Sequence, residues 1–184
     1  MGGKVKIIAF AGMPFSGKSE AVKIAKDKNI PVLRMGDMVW EETKKQGLEI
    51  NDLNVGKVAN DMRKTHGMDI WAKKTYEKIK DINNEKIIVI DGIRNREEAD
   101  FFKEKLGKDF IIVAVTVSDE ERYKRAMNRN RADDSKDLNK IKERDRRELS
   151  WGLDKVIKNA DIKISNEDDI NLFRNEIKKV FVNL

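Results

Sequence analysis

Residues Gly12 to Ser19 read Gly-Met-Pro-Phe-Ser-Gly-Lys-Ser, the pattern G-x-x-x-x-G-K-[ST]. The run before it, Val5 to Ala11, is apolar and suits a buried strand, and the run after it, Glu20 to Lys28, is built of helix formers. A loop made by Gly12, Met13, Pro14, Phe15, Ser16 and Gly17 between a strand and a helix directs backbone N–H groups at a phosphate, with the helix N-terminus behind them. Lys18 then reaches the β- and γ-phosphates, and the Ser19 hydroxyl sits on Mg²⁺. This spacing predicts binding of a nucleoside triphosphate with Mg²⁺. The glycines are required because a Cβ would block either the phosphate or the turn.

Two further groups of residues carry chemistry. Ile87 to Asp91 is an apolar run ending in a carboxylate, followed by Gly92, Ile93 and Arg94. Ligands of a parallel sheet bind beyond the carboxyl ends of its strands, so Asp91 is placed to hold Mg²⁺ through water. The alternative for Asp91 is a helix cap. The second group is a set of arginines: Arg122, Arg125, Arg129 and Arg131, then Arg144, Arg146 and Arg147. Guanidinium groups bind phosphate oxygens bidentately and stay charged, and phosphoryl transfer needs positive charge around the equatorial oxygens. Arg129 and Arg131 are the candidates for that contact. Glutamates nearby offer the plainer reading of a salt-bridged, solvated helix.

These groups need a scaffold, and the chain supplies one pattern for it. Apolar runs at Ile30–Leu33, Lys86–Ile90, Phe110–Val117 and Asp161–Ile164 read as strands after the first. Trp71–Ile82, Asn95–Leu106 and Asn171–Phe181 show apolar residues at three- and four-residue spacing and read as helices. Alternating strands and helices predict an α/β fold with a parallel sheet and right-handed crossovers. The near-continuous Val/Ile content of the first, third and fourth runs predicts strands covered on both faces. We expect one domain over residues 1–184, with inserts at about 36–82 and about 122–149.

Composition sets the outer bounds. With 184 residues, 39% hydrophobic and 39% charged, the chain is that of a globular protein with a heavily charged surface. No apolar run approaches the roughly 20 residues that span a bilayer, and no signal-peptide pattern opens the chain. There is no cysteine, so disulfides and thiol chemistry are excluded. A cytoplasmic protein is expected, with no membrane partner. The net charge of +6 suits polyanionic ligands, although a charge-rich surface of thermophile type gives the same balance. The single histidine, His66, reads as a helix-end residue, and a positioning-based phosphoryl transfer needs no histidine.

Gly12 to Ser19, Met35-Gly36-Asp37, Asp91-Gly92-Ile93-Arg94 and Arg131-Ala132-Asp133-Asp134 occur in the order seen in adenylate kinase and other nucleoside monophosphate kinases, which the chain resembles. Ala160 to Asn166 is similar to the end of dephospho-CoA kinases. Over nearly its whole length the chain resembles an archaeal family of adenylate-kinase-related P-loop proteins, which shares Arg144 to Leu149 and Trp151-Gly152. The resemblance implies a P-loop three-layer sandwich with a five-stranded parallel sheet of nucleoside monophosphate kinase type, its first strand central. It implies that Gly36 and Asp37 open an acceptor-binding insert, that Arg94 clamps the acceptor phosphate, and that Arg131 belongs to an arginine-rich lid. Asn166 would lie beside the adenine of ATP.

Two positions depart from that pattern. Trp40 stands where adenylate kinases have an arginine three residues after the Asp, which leaves Arg34 or Arg63 to supply the missing clamp. Lys142 stands eleven residues after Arg131, where a second lid arginine is expected, and Arg144 lies thirteen away. The expected function is therefore an ATP- and Mg²⁺-dependent kinase for a small phosphorylated acceptor, with AMP or another nucleoside monophosphate first and dephospho-CoA second. The alternatives are a P-loop ATPase or switch acting on RNA or a protein, and a kinase for a non-nucleotide metabolite. No aromatic-rich signature for stacking RNA bases accompanies the basic charge.

Overall fold

Every residue from Ile7 to Ala11 is fully buried, and the side chains divide by alternation. Ile7, Ala9 and Ala11 point into one core, and Ile8 and Phe10 into a second core on the opposite face. This is the period-2 geometry of a strand covered on both sides. In the computed structural model, which describes residues 5–128 and 137–183, this strand is β1 (Lys6–Ala11). It lies at the centre of a five-stranded parallel sheet.

The other strands are β2 (Val32–Arg34), β3 (Ile87–Asp91), β4 (Phe110–Thr116) and β5 (Ile162–Ser165). Their order across the sheet is β2-β3-β1-β4-β5. The second strand starts later than its apolar run because Pro31 has no N–H to give. Its carbonyl accepts from the Val89 N–H at 2.8 Å, and the ladder begins there.

On one face α1 (Lys18–Asp27) packs beside α9 (Ile170–Asn183), whose Phe173, Ile177, Val180 and Phe181 are buried. On the other face lie α2 (Met35–Lys45), α3 (Asp52–His66), α4 (Ile70–Lys80), α5 (Arg96–Leu106) and α8 (Leu153–Lys158). The three layers and the central first strand are as the resemblance implies. Helix α1 begins two residues earlier than its helix-forming run, so Lys18 and Ser19 lie inside its first turn. His66 is the last residue of α3 and is exposed. Among the described residues, no helix is long and apolar enough to cross a membrane.

The helices α6 (Asp119–Asn128) and α7 (Leu138–Ser150) flank residues 129–136, which lie outside the described residues. Arg129 and Arg131, the expected lid arginines, fall there. Arg122 is a correction to the reading of this arginine run as phosphate-binding. It is 1% exposed and ties three segments together. Its guanidinium pairs with Asp145 of α7 at 2.8 Å, with Asp119 at 2.5 Å, and donates to the Pro14 carbonyl at 3.0 Å. Tyr123 adds a fourth partner by donating to Asp145 at 3.0 Å.

Removing one member of a buried ion pair leaves the other charge unpaired, which costs about 3–5 kcal/mol. Arg122→Ala is therefore expected to lower the melting temperature by roughly 10 °C, because it strands Asp145 and frees α7 from the loop. Thermal denaturation followed by circular dichroism checks this. A shift of a degree or two would mean that the cluster does not hold the helix.

Candidate active site

The loop after β1 is shaped by backbone conformations that most residues avoid. Gly12, Phe15 and Gly17 all have positive φ, at 154°, 64° and 106°. Gly17 has a second constraint, since a Cβ there would lie 2.0 Å from the Asn166 amide nitrogen. A substitution at Gly17 thus collides with a buried side chain and is strained in φ as well.

Asn166 is buried and does not line the cavity described below. Its side-chain amide donates to the Ser16 carbonyl at 2.8 Å, and its backbone carbonyl accepts from Arg125 at 2.7 Å. Asn166 thereby braces the loop.

Lys18 projects back across the loop. Its ammonium donates to the carbonyls of Gly12 at 2.5 Å and Met13 at 3.0 Å. Burial lowers its pKa to about 8; Asp91 and Glu148 oppose that shift, and Arg94 and Arg144 add to it. Asp91, at the end of β3, sits next to the end of β1 in the sheet register.

From Ser16, Gly17, Lys18 and Ser19 a single cavity of about 580 Å³ runs past Asp91 and Arg94 to α2 and α3. Pro14 and Phe15 also line it, while Gly12 and Met13 do not. At the far end its walls are Arg34, Gly36, Trp40, Arg63, Trp71 and Trp151. Asp37 points elsewhere: it lies off this lining and pairs with Arg34 at 3.5 Å. Trp40 is a cavity wall and not a core residue, with the Arg34 guanidinium 5.5 Å from its ring centroid.

The roof of the cavity comes from the end of α7. Arg144, Arg147, Glu148 and Trp151 are spaced i, i+3, i+4 and i+7, which puts them on one side of the helix. Arg147, Trp151 and Glu148 reach across to other elements. Arg147 pairs with Asp52 of α3 at 2.9 Å. The Trp151 indole donates to Asn60 at 2.9 Å, and the Arg63 guanidinium lies 4.3 Å from its ring centroid. Glu148 pairs with Arg94 and, at 3.3 Å, with Arg144. Burial pushes the Glu148 carboxyl up, but Arg94, Arg144 and Lys18 outweigh it and hold the group below the usual carboxylate range.

Arg63 and Glu98 form a second buried pair at 3.1 Å. Glu98 also accepts the backbone N–H of Arg94 at 2.8 Å, which fixes the turn carrying that arginine. Burial raises the Glu98 carboxyl above its ordinary value against the pull of Arg63.

The structure therefore brings Lys18, Ser19, Asp91, Arg94, Gly36 and Arg63 to one cavity. It also brings there Arg144 and Arg147 of the arginine set, and adds Glu148 and Trp151, to which the sequence reading gave no role in a site. The signal for them was present as a polar stripe of helical period. Arg146 lies away from this cavity, beside Asp119, Tyr123 and Lys142.

A family model described as an AAA domain matches residues 11–142. The UPF0200 protein of Methanosarcina acetivorans is 41% identical over 179 residues, covering 97% of this chain and 95% of the relative. The UPF0200/UPF0201 protein of Archaeoglobus fulgidus is 41% identical over 182 residues, which are 98% of this chain and 56% of that longer relative. Among solved structures, TT1252 from Thermus thermophilus superposes with a TM-score of 0.66 at 15% identity, covering 99% of each chain. A gluconokinase from Sinorhizobium meliloti gives 0.59 at 15% identity, covering 97% of this chain and 94% of that one. Shikimate kinase from Aquifex aeolicus gives 0.51 at 19% identity, covering 96% of each. These structures show a P-loop kinase-like fold.

The lowered pKa of Lys18 has a sign that can be checked. Its folded value of about 8 lies below the ordinary 10.5, so the amine is neutral above about pH 8 while an unfolded chain still holds the proton. Over that window the unfolded state binds more protons, and this group's contribution makes stability rise with pH. Lysine ¹⁵N NMR is expected to show one ammonium titrating near pH 8, with its signal absent in Lys18→Ala. All lysines titrating above pH 10 would contradict the buried geometry.

Proposed function

We propose that this chain, which belongs to the UPF0200 family of archaeal AAA-domain proteins, is an ATP- and Mg²⁺-dependent phosphotransferase acting on a small, anionic, nucleotide-like acceptor. One observation carries the reading. A single cavity joins the phosphate loop at Ser16–Ser19 to a second chamber walled by Arg34, Arg63 and three tryptophans, Trp40, Trp71 and Trp151. A hydrolase or switch needs only the first half, whereas a transferase needs both substrates side by side and shielded from water.

In this reading the loop N–H groups and Lys18 hold the ATP phosphates, and Arg94 and Arg144 stand where charge spreads over the transferred group. Among the described residues no three His, Cys, Asp or Glu side chains converge as a metal cage. That suits Mg²⁺, which accepts few protein ligands and relies on phosphates and water. Ser19 and Asp91 would hold it, and the ion would neutralise phosphate charge. Arg129 and Arg131 remain the proposed lid arginines, beyond the described residues. Gly36, Arg63 and Arg94 face the acceptor.

AMP or another nucleoside monophosphate is the first acceptor to test and dephospho-CoA the second. They differ in the receiving atom, a phosphate oxygen in the first and a hydroxyl in the second. A switch acting on RNA or a protein is the competing reading, supported by the net charge of +6.

The test is transfer of labelled γ-phosphate from ATP with Mg²⁺ to each acceptor in parallel. Label in an acceptor supports the kinase; free phosphate alone, whatever is added, supports the switch. Lys18→Ala should reduce transfer at least 100-fold with the fold intact by circular dichroism, as expected for loss of a group that stabilises the transferring charge. Arg94→Ala should weaken acceptor binding at least tenfold and ATP binding far less, measured by calorimetry, since a charge-assisted hydrogen bond contributes about 1.5–3 kcal/mol. Equal losses for both ligands would remove Arg94 from the acceptor side.

A further inference from the structure

The junction between the two chambers holds a carboxylate. Glu148, its side chain 4% exposed, is placed there by α7 and paired with Arg94 and Arg144. These are the cations that a phosphate would seek. On the acceptor side each arginine comes with its own acid: Arg94 with Glu148, Arg63 with Glu98 and Arg147 with Asp52. A chamber built to receive a phosphate oxygen as the nucleophile would have to bring a second anion against Glu148, in a site screened from water. A hydroxyl has no such conflict, because it is neutral and needs an acceptor for its proton.

We propose that the group phosphorylated in this site is an alcohol, that its hydroxyl is received by the Glu148 carboxylate, and that the same molecule carries an anion bound by Arg63. The proposal rests on the kinase reading above and names its acceptor class. The anion site has its own observation. Arg63 is buried, its side chain 4% exposed, and lines the cavity. One nitrogen pairs with Glu98, while Nε and Nη1 have no hydrogen-bond partner among the described residues. These two buried donors lie on different edges of the guanidinium, and each can give one charge-assisted hydrogen bond to an oxygen of a carboxylate or a phosphate. Trp151, stacked on that guanidinium, supplies an apolar wall.

The step balances without further reagents. The alcohol oxygen attacks the γ-phosphorus of ATP and forms a phosphate ester bond. The bond from that phosphorus to the β-phosphate oxygen breaks, and ADP leaves with the electron pair. The hydroxyl proton passes to a Glu148 oxygen and from there to water. Once Glu148 is neutral, Arg94 and Arg144 lose their internal counter-ion as negative charge reaches the equatorial oxygens beside them.

The test uses the wild-type chain with ATP and Mg²⁺, with AMP and dephospho-CoA as separate probes, and ³¹P NMR to assign the new bond. A phosphate monoester is expected. A new phosphoanhydride, such as ADP formed from AMP, would overturn the alcohol assignment and leave the kinase reading standing. Release of free phosphate with no phosphorylated acceptor would overturn the kinase reading, and this proposal with it.

Glu148→Gln should lower kcat on the order of 100-fold, with the Kd for ATP within about twofold and the acid limb of the pH–rate profile lost. A Glu148→Gln enzyme that matches or exceeds wild type would overturn the role, since the carboxylate would then only block the arginines. If that variant does not fold, Glu148→Asp keeps the charge on a shorter arm. It should retain the acid limb at reduced kcat, and a profile without that limb would count against Glu148. For the anion site, Arg63→Lys should raise the acceptor KM at least tenfold with little change in kcat, and an unchanged KM would remove Arg63 from binding.

Discussion

Five parallel strands must deliver their carboxyl ends to one edge, and everything functional in this molecule follows from that constraint. β1 supplies the loop with Lys18, β3 supplies Asp91 and the turn to Arg94, and β2 leads into the helix with Gly36 and Trp40. β4 leads into α6 with Arg122 and Arg125, and β5 leads to Asn166, which braces the loop. The central position of β1 matters because its neighbours on both sides then frame the loop. Connections between parallel strands must cross over the sheet, and such crossovers have room for inserts without disturbing the ladder.

The chemistry at that edge depends on how buried charge is handled. A charge taken out of water is tolerated only when it is paired. The described structure meets this with arginine–carboxylate pairs between elements distant in sequence, such as Arg122 with Asp145 and Arg63 with Glu98. Lys18 carries a cost: its neighbours Asp91 and Glu148 offset only part of the burial, and its pKa falls to about 8. A polyanion bound at the loop would remove that cost, so the same desolvation that weakens the free ammonium strengthens its preference for phosphate. The pairs also join layers. Arg147–Asp52 and Arg94–Glu148 hold α7 against α3 and the β3 turn, closing the cavity from above.

Much of the fold was legible from local patterns. The apolar runs marked all five strands to within about two residues at the start of each, and helical spacing marked α4, α5 and α9. These signals are short-range, since alternation and 3.6-residue periodicity depend only on which face of an element is buried. The loop was legible for a similar reason. Its function resides in consecutive residues, and Gly12, Gly17, Lys18 and Ser19 have little freedom once a phosphate must fit. The roles of the arginines were not legible. Arg122 and Arg125 lie one turn apart on α6, yet Arg122 is sealed into a structural cluster while Arg125 lines the cavity.

What the sequence determined by itself was the scaffold and the phosphate loop, because both are set by residues adjacent along the chain. Only the tertiary structure decided which charges meet. Glu148 and Arg94 are far apart in sequence, as are Arg63 and Trp151, and nothing in local spacing pairs them. Asn166 braces the loop because Gly17 leaves a gap that its amide fills. The acceptor chamber belongs to this second class. It is defined by helices packed from three crossovers, and its charge balance exists only once long-range packing has brought each arginine to its carboxylate.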